Sequence, residues 1–159
     1  MTTEDLLAKT AVDSWKQVIA RLDKGVEAMS DEQLQKQVAP GKNRLQYIVG
    51  HLVAVNDRMF TLLGLGERMY PQLDEAYLLN PDGKLPDPVS GTDLKKAWSE
   101  VHGGLTKAFE ALTAEQWMER HTSVSEEDFA KDPSRNRLAV LLSRTNHASF
   151  HAGQVVLVK

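Results

Sequence analysis

Two histidines four residues apart, His147 and His151, stand in the segment Asn146-His147-Ala148-Ser149-Phe150-His151-Ala152-Gly153-Gln154. The run from Asn136 to Lys159 contains no proline and carries Leu138, Leu141, Leu142, Ala148, Ala152 and Val155 at helical spacing. On a helix the two imidazoles lie one turn apart on one face and can converge on a single metal ion. His51 is the candidate third ligand, three residues after Ile48 and four before Val55, facing inward on a second helical segment. Three neutral imidazoles suit zinc, nickel or a similar divalent ion and leave a position open for water or substrate. An ion so held lowers the pKa of a bound thiol or water and polarises a substrate oxygen. Ala148 stands where the zinc-protease motif needs a glutamate directly after its first histidine, which excludes that mechanism in its usual form. On spacing alone, three core histidines satisfied by Asn146, Ser149 or Gln154 explain the pattern equally well.

The elements that would position these residues are helical. A chain of 159 residues is long enough to bury a core without staples and is expected to form a single domain over 1–159. It contains no cysteine, which excludes disulfides, thiolate metal sites and a cysteine nucleophile and leaves histidine and carboxylate as ligands. The net charge of -3 gives no basic stripe for nucleic acid. The opening Met1-Thr2-Thr3-Glu4-Asp5 lacks the basic flank and apolar core of a signal peptide, and no stretch approaches the ~18 apolar residues of a membrane span. A cytoplasmic protein with neither a nucleic-acid nor a membrane partner is the expectation.

Taken in order, Thr2 and Asp5 read as a capping box for a helix of about seven turns carrying Trp15, Val18, Ile19, Leu22, Val26 and Met29. A short piece follows from Ser30 and ends before Pro40-Gly41. The second long helix is expected from Asn43, with Gln46 as its capping partner, to a stop at Gly64. Residues 67–91 form a long connection with four prolines, yet Met69, Tyr70, Leu73, Tyr77, Leu78 and Leu79 make it too apolar for a free linker. It reads equally well as a lid over a cleft or a strap across the bundle. Ser90 and Asp93 cap a third long helix, on which His102, beside Gly103-Gly104, is expected at the surface or an edge, as is His121 in the loop before the last helix. Leu112-Thr113-Ala114-Glu115-Gln116-Trp117 echoes Met29-Ser30-Asp31-Glu32-Gln33-Leu34, and Asn43-Arg44-Leu45 returns as Asn136-Arg137-Leu138. A weak internal repeat follows, making the two histidine-bearing helices counterparts. Four long amphipathic helices around one core are an all-α bundle.

The His147–Gln154 phrase, with a histidine, three residues, a second histidine, then a small residue, Gly and Gln, resembles the terminal-helix signature of the DinB/YfiT-like superfamily. Gly50-His51-Leu52 is similar to that family's first histidine, and Pro40-Gly41-Lys42-Asn43 and Leu62-Leu63-Gly64 resemble its helix entry and exit. The specific motifs cover about 25 residues, the organisation nearly the whole chain. The resemblance implies a four-helix bundle with up-down-down-up topology, a divalent metal on His51, His147 and His151, and a homodimer. Members of that family include S-transferases and isomerases that use low-molecular-weight thiols, hydrolase-like relatives and many with no known activity. The leading expectation by resemblance is a metal-dependent enzyme that uses such a thiol as cofactor against an electrophilic small-molecule substrate such as a halide, epoxide or antibiotic. Two other readings stand beside it. One is metal-assisted hydrolysis of an amide or ester, for which Asp57 is the nearest carboxylate in sequence and a poor base. The other is a non-catalytic bundle that binds a small molecule or the metal alone. Asn146 and Gln154 are the expected orienting partners of the imidazoles.

Overall fold

The structure, a computed structural model, describes residues 1–158. Helix α1 (Thr3–Ala28) opens on the expected capping box: the Thr2 hydroxyl accepts from the Asp5 N–H, and the Asp5 carboxylate accepts from the Thr2 N–H. Its Trp15, Ile19, Leu22 and Val26 are buried in one stripe. Ser30 and Gln33 form a second capping box for α2 (Asp31–Leu34).

The next helix departs from the expected run. Helix α3 (Leu45–Asp57) has Arg44 at its N-cap, and after Arg58 a separate turn, α4 (Met59–Leu62), leads to Gly64. Gly64 takes a φ of 65°, the left-handed stop that glycine makes without strain. Gln46 does not cap the helix. It is buried, donating to the Tyr77 hydroxyl at 2.9 Å and the Val89 carbonyl at 3.2 Å.

The connection 67–91 is a strap. It contains a 3-10 turn (Pro71–Leu73) and α5 (Asp74–Tyr77), with Leu73 and Tyr77 sunk into the core. Buried Asp57 accepts from the Met69 and Tyr70 N–H groups and from Arg68, while Arg58 and Arg68 both reach Asp74. At the far end Arg44 pairs with Asp82 and Asp87. These anchors fix both ends of the strap against α3.

Ser90 caps α6 (Gly91–Ala111), and Thr113 with Gln116 opens α7 (Ala114–Met118) through a capping box that matches the Ser30–Gln33 pair. The internal echo is therefore structural as well as textual. Gly104 faces Phe60 and Met69, where a methyl group would lie 3.2 Å and 3.0 Å from their side-chain tips, whereas Gly103 faces open space. A short helix, α8 (Glu126–Lys131), buries none of its residues. Asn136 then caps α9 (Arg137–Val155) by accepting from the Ala139 N–H. The expected run continued to Lys159, which lies outside the described residues.

Pairings across the bundle fix its directions. Lys16 meets Glu110, Asp23 meets Trp98, and the Met29 carbonyl meets Lys95, so α1 and α6 are antiparallel. Gln46 meets Val89 and Asn56 meets His102, so α3 and α6 run parallel. His51 meets His147 and Gly64 lies near Arg137, so α3 and α9 are antiparallel. The four long helices therefore run up, down, down, up. Helix α1 packs on α6 and α9, and α3 packs on the same two. The seam between α3 and α9 carries the histidines.

Candidate metal centre

His51 leaves the middle of α3 and meets His147 and His151 from α9. The Nε2 atom of His147 lies 3.2 Å from His51 Nε2 and 3.1 Å from His151 Nε2. The remaining ring nitrogens turn outward to protein partners. His51 donates its Nδ1–H to the Tyr77 carbonyl at 3.0 Å, and His151 donates its own to Gln154 Oε1 at 2.6 Å. Those two bonds fix the tautomers and leave lone pairs on both Nε2 atoms, aimed at the Nε2 of His147. One proton on His147 could satisfy only one of them. A cation among the three nitrogens satisfies all, and ligand nitrogens about a tetrahedral zinc ion stand roughly 3.3 Å apart. The donor set and its spacing fit a divalent ion.

Burial pushes all three imidazoles below the ordinary histidine value. The Tyr77 carbonyl opposes that shift at His51, and Gln154 opposes it at His151. His147 has no such partner, since its Nδ1 is buried without a hydrogen bond. Beside two other imidazoles and the Arg144 guanidinium, it is pushed down to about 4. The lone pairs are thus available at neutral pH, which metal binding requires.

The strap builds the His51 side of this arrangement. The Tyr77 ring lies so close against Gly50 that a methyl group there would fall 2.3 Å from Tyr77 Cδ2. Only glycine admits the ring, and the ring's position sets the Tyr77 carbonyl over His51. Tyr47 stacks beside His51 with ring centroids 6.2 Å apart and planes 9° from parallel, its hydroxyl held by the Asn80 carbonyl.

Gln154 orients an imidazole. Asn146 is exposed on the opposite side of α9 and orients none. Asp57 is committed to the strap, so it is unavailable as a base, and no carboxylate joins the cluster among the described residues. His121 is partly exposed in a cleft beside Arg144, outside the cluster. His102 is not at an edge. It is 2 % exposed, donates Nδ1–H to the Trp98 carbonyl and receives the Asn56 amide at Nε2. The glycines that suggested an edge do not decide its exposure, because its side chain points between Trp15 and Trp98. Tyr77 and Tyr47 were missed as site builders. The neighbouring Gly50 was the available signal for Tyr77, since a glycine inside an apolar helix marks close approach.

A family model described as the DinB superfamily matches residues 14–155. Comparison with curated proteins gives no match.

Proposed function

The chain belongs to the DinB superfamily, and on that premise we propose that it is a metal-dependent S-transferase with a divalent ion on His51, His147 and His151. The observation that carries this reading is the convergence of three Nε2 atoms with two outward Nδ1 atoms held by Tyr77 and Gln154. Zinc or nickel suits an all-imidazole set. When bound, the ion supplies a lowered thiol pKa, so that a thiolate is available at neutral pH. The chain has no cysteine, so the sulfur comes from a low-molecular-weight thiol.

Among the described residues no carboxylate joins the cluster to act as a general base towards water, whereas a thiol is more acidic than water and ionises more readily without one, which favours this chemistry over hydrolysis. The chain's own residues hold and orient. Tyr77 and Gln154 fix two imidazoles, burial keeps all three neutral, and the strap shields the His51 side. In the transfer the sulfur–carbon bond forms as the carbon–halogen or epoxide carbon–oxygen bond breaks. The leaving atom takes the electron pair, and the thiol proton passes to solvent or to the epoxide oxygen. A homodimer, which the resemblance implies, is part of the proposal. No helix among the described residues is long and apolar enough to cross a membrane; a cytoplasmic location is part of the proposal.

Elemental mass spectrometry on protein prepared without tag or chelator tests the centre. About one zinc or nickel per chain is expected, lost in His147→Ala. Protein that carries no such metal and takes none up when it is added would overturn the centre. Metal-loaded protein should then consume small thiols in the presence of an aryl halide or epoxide. If consumption is the same after the metal is stripped, the transferase reading fails.

A further inference from the structure

Six arginines are partly buried: Arg44, Arg58, Arg68, Arg120, Arg137 and Arg144. Five have a carboxylate within 4 Å: Asp82 and Asp87 for Arg44, Asp74 for Arg58 and Arg68, Glu126 for Arg120 and Glu119 for Arg137. Arg144 has none. Its Nε is buried without a hydrogen-bond partner. Burial and the neighbouring Arg58 charge both act against its positive charge, and no anion offsets them. An arginine gives up hydration at substantial cost, and natural structures almost always repay it with a carboxylate or phosphate. Among the described residues the chain supplies neither.

Arg144 lines a cleft of about 270 Å³ together with Leu62, His121, Ser134, Arg135 and Ser143. No aspartate or glutamate lines it. Its polar wall is two guanidinium groups, one imidazole and the Ser143 hydroxyl, which can donate to an anion, whereas the Ser134 hydroxyl already donates to Asp132. His121 is pushed below its ordinary value by burial and by the charges of Arg135 and Arg120, so the cleft is electropositive as well as donor-rich. The cleft also abuts the metal centre. Arg144 is three residues before His147 and seven before His151, on the same stripe of α9, about 4.5 Å along the axis from His147.

We infer that Arg144 and this cleft form a carboxylate-binding site that anchors an acidic small molecule beside the three-histidine centre. The carboxylate is the better match than phosphate, because a planar monoanion takes a two-pronged bond from a single guanidinium, and of the two arginines here only Arg144 is partly buried while Arg135 is exposed. The role as a substrate anchor rests on the metal-dependent reading above; the anion site itself does not.

The test is an NMR titration of the full chain with acetate and, separately, with inorganic phosphate, with metal content measured in the same samples. Acetate should shift the Arg144 Nε–H resonance saturably and raise the pKa of His121. Arg144→Gln should weaken acetate at least roughly tenfold, and Arg144→Lys should keep part of the affinity. His147→Ala should lose metal and still bind acetate. No saturable acetate shift, undiminished binding in Arg144→Gln, or binding of phosphate alone would overturn the carboxylate site. So would acetate binding that disappears with the metal and ignores Arg144, because the carboxylate would then sit on the ion. Protein that takes up no metal but binds acetate through Arg144 overturns the metal centre and leaves the anion site standing.

Discussion

His51 and His102 stand on parallel neighbouring helices, and each donates its Nδ1–H to a backbone carbonyl, of Tyr77 and Trp98 respectively. Each therefore presents an Nε2 lone pair, and burial lowers the pKa of both. Their surroundings then diverge. The Nε2 of His102 receives the Asn56 side-chain amide at 2.9 Å, between two tryptophan rings, and its hydrogen-bonding capacity is filled. The Nε2 of His51 faces a second Nε2 and shares a cluster with a third. Burial, tautomer and carbonyl anchor are common to a core histidine and a candidate ligand. What separates them is the atom that the free lone pair meets.

Exchanging the two by substitution should give crossed effects, the largest expected here. His51→Ala should cut metal affinity by more than the roughly 10–100-fold that loss of an orienting partner costs, with little change in the stability of metal-free protein. His102→Ala should leave metal stoichiometry intact and destabilise the fold by about 2–4 kcal/mol, through a cavity and an unpaired Asn56 amide. Chemical denaturation and elemental analysis of both variants check the pair. If His102→Ala loses metal while keeping its stability, the division between the two sites is wrong.

A smaller effect is expected from Gly50→Ala. The new methyl group would meet the Tyr77 ring at 2.3 Å, and the ring is fully buried against the helix backbone. Overpacking of this kind costs about 1–3 kcal/mol. Displacing Tyr77 also withdraws the carbonyl that orients His51, so metal affinity should fall by roughly tenfold. Unchanged affinity beside clear destabilisation would show that the strap supports the fold and not the ligand.

How far the sequence discloses these arrangements depends on whether the decisive contact is local. His147 and His151 share a helix, so their spacing alone places them on one face. Thr2 with Asp5, Ser30 with Gln33 and Thr113 with Gln116 are likewise local, and each forms the capping box read for it or echoed by it. Gln46 has the same local credentials and caps nothing, because Tyr77 and Val89, remote in sequence, take its amide. His102 was misplaced for a similar reason: its partners are Asn56 and the Trp98 carbonyl, and the adjacent glycines say nothing about them. The strap's apolar content was legible, but its pinning by Asp57, Asp74, Asp82 and Asp87 was not. Arg144 was within reach of the internal echo. Seven residues after Arg44 comes His51, and seven after Arg137 comes Arg144, so the repeat brings an arginine to the position that holds the first histidine.

The smallest expected effect is in the pH dependence of metal-free protein, and it tests what His102 and the cluster have in common. His102 is pushed down to about 4 by burial, and His147 to about 4 by burial and its charged and imidazole neighbours. In the unfolded chain both return to the ordinary value of 6.5. Between these limits the unfolded chain binds protons that the folded chain refuses, so stability falls as pH drops from 6.5 towards 4 and is recovered above 6.5. For His102 the loss should be about 1 kcal/mol on going from pH 6.5 to roughly pH 5.5. His147 is partly exposed and should add less, since solvent screens its charge. Urea denaturation of chelator-treated protein across this range measures the slope, and His147→Ala should reduce it without abolishing it. A flat curve, or one that rises on acidification, would mean that the folded chain accepts protons on these rings. The lone pairs assigned to His102 and to the cluster would then both be in error.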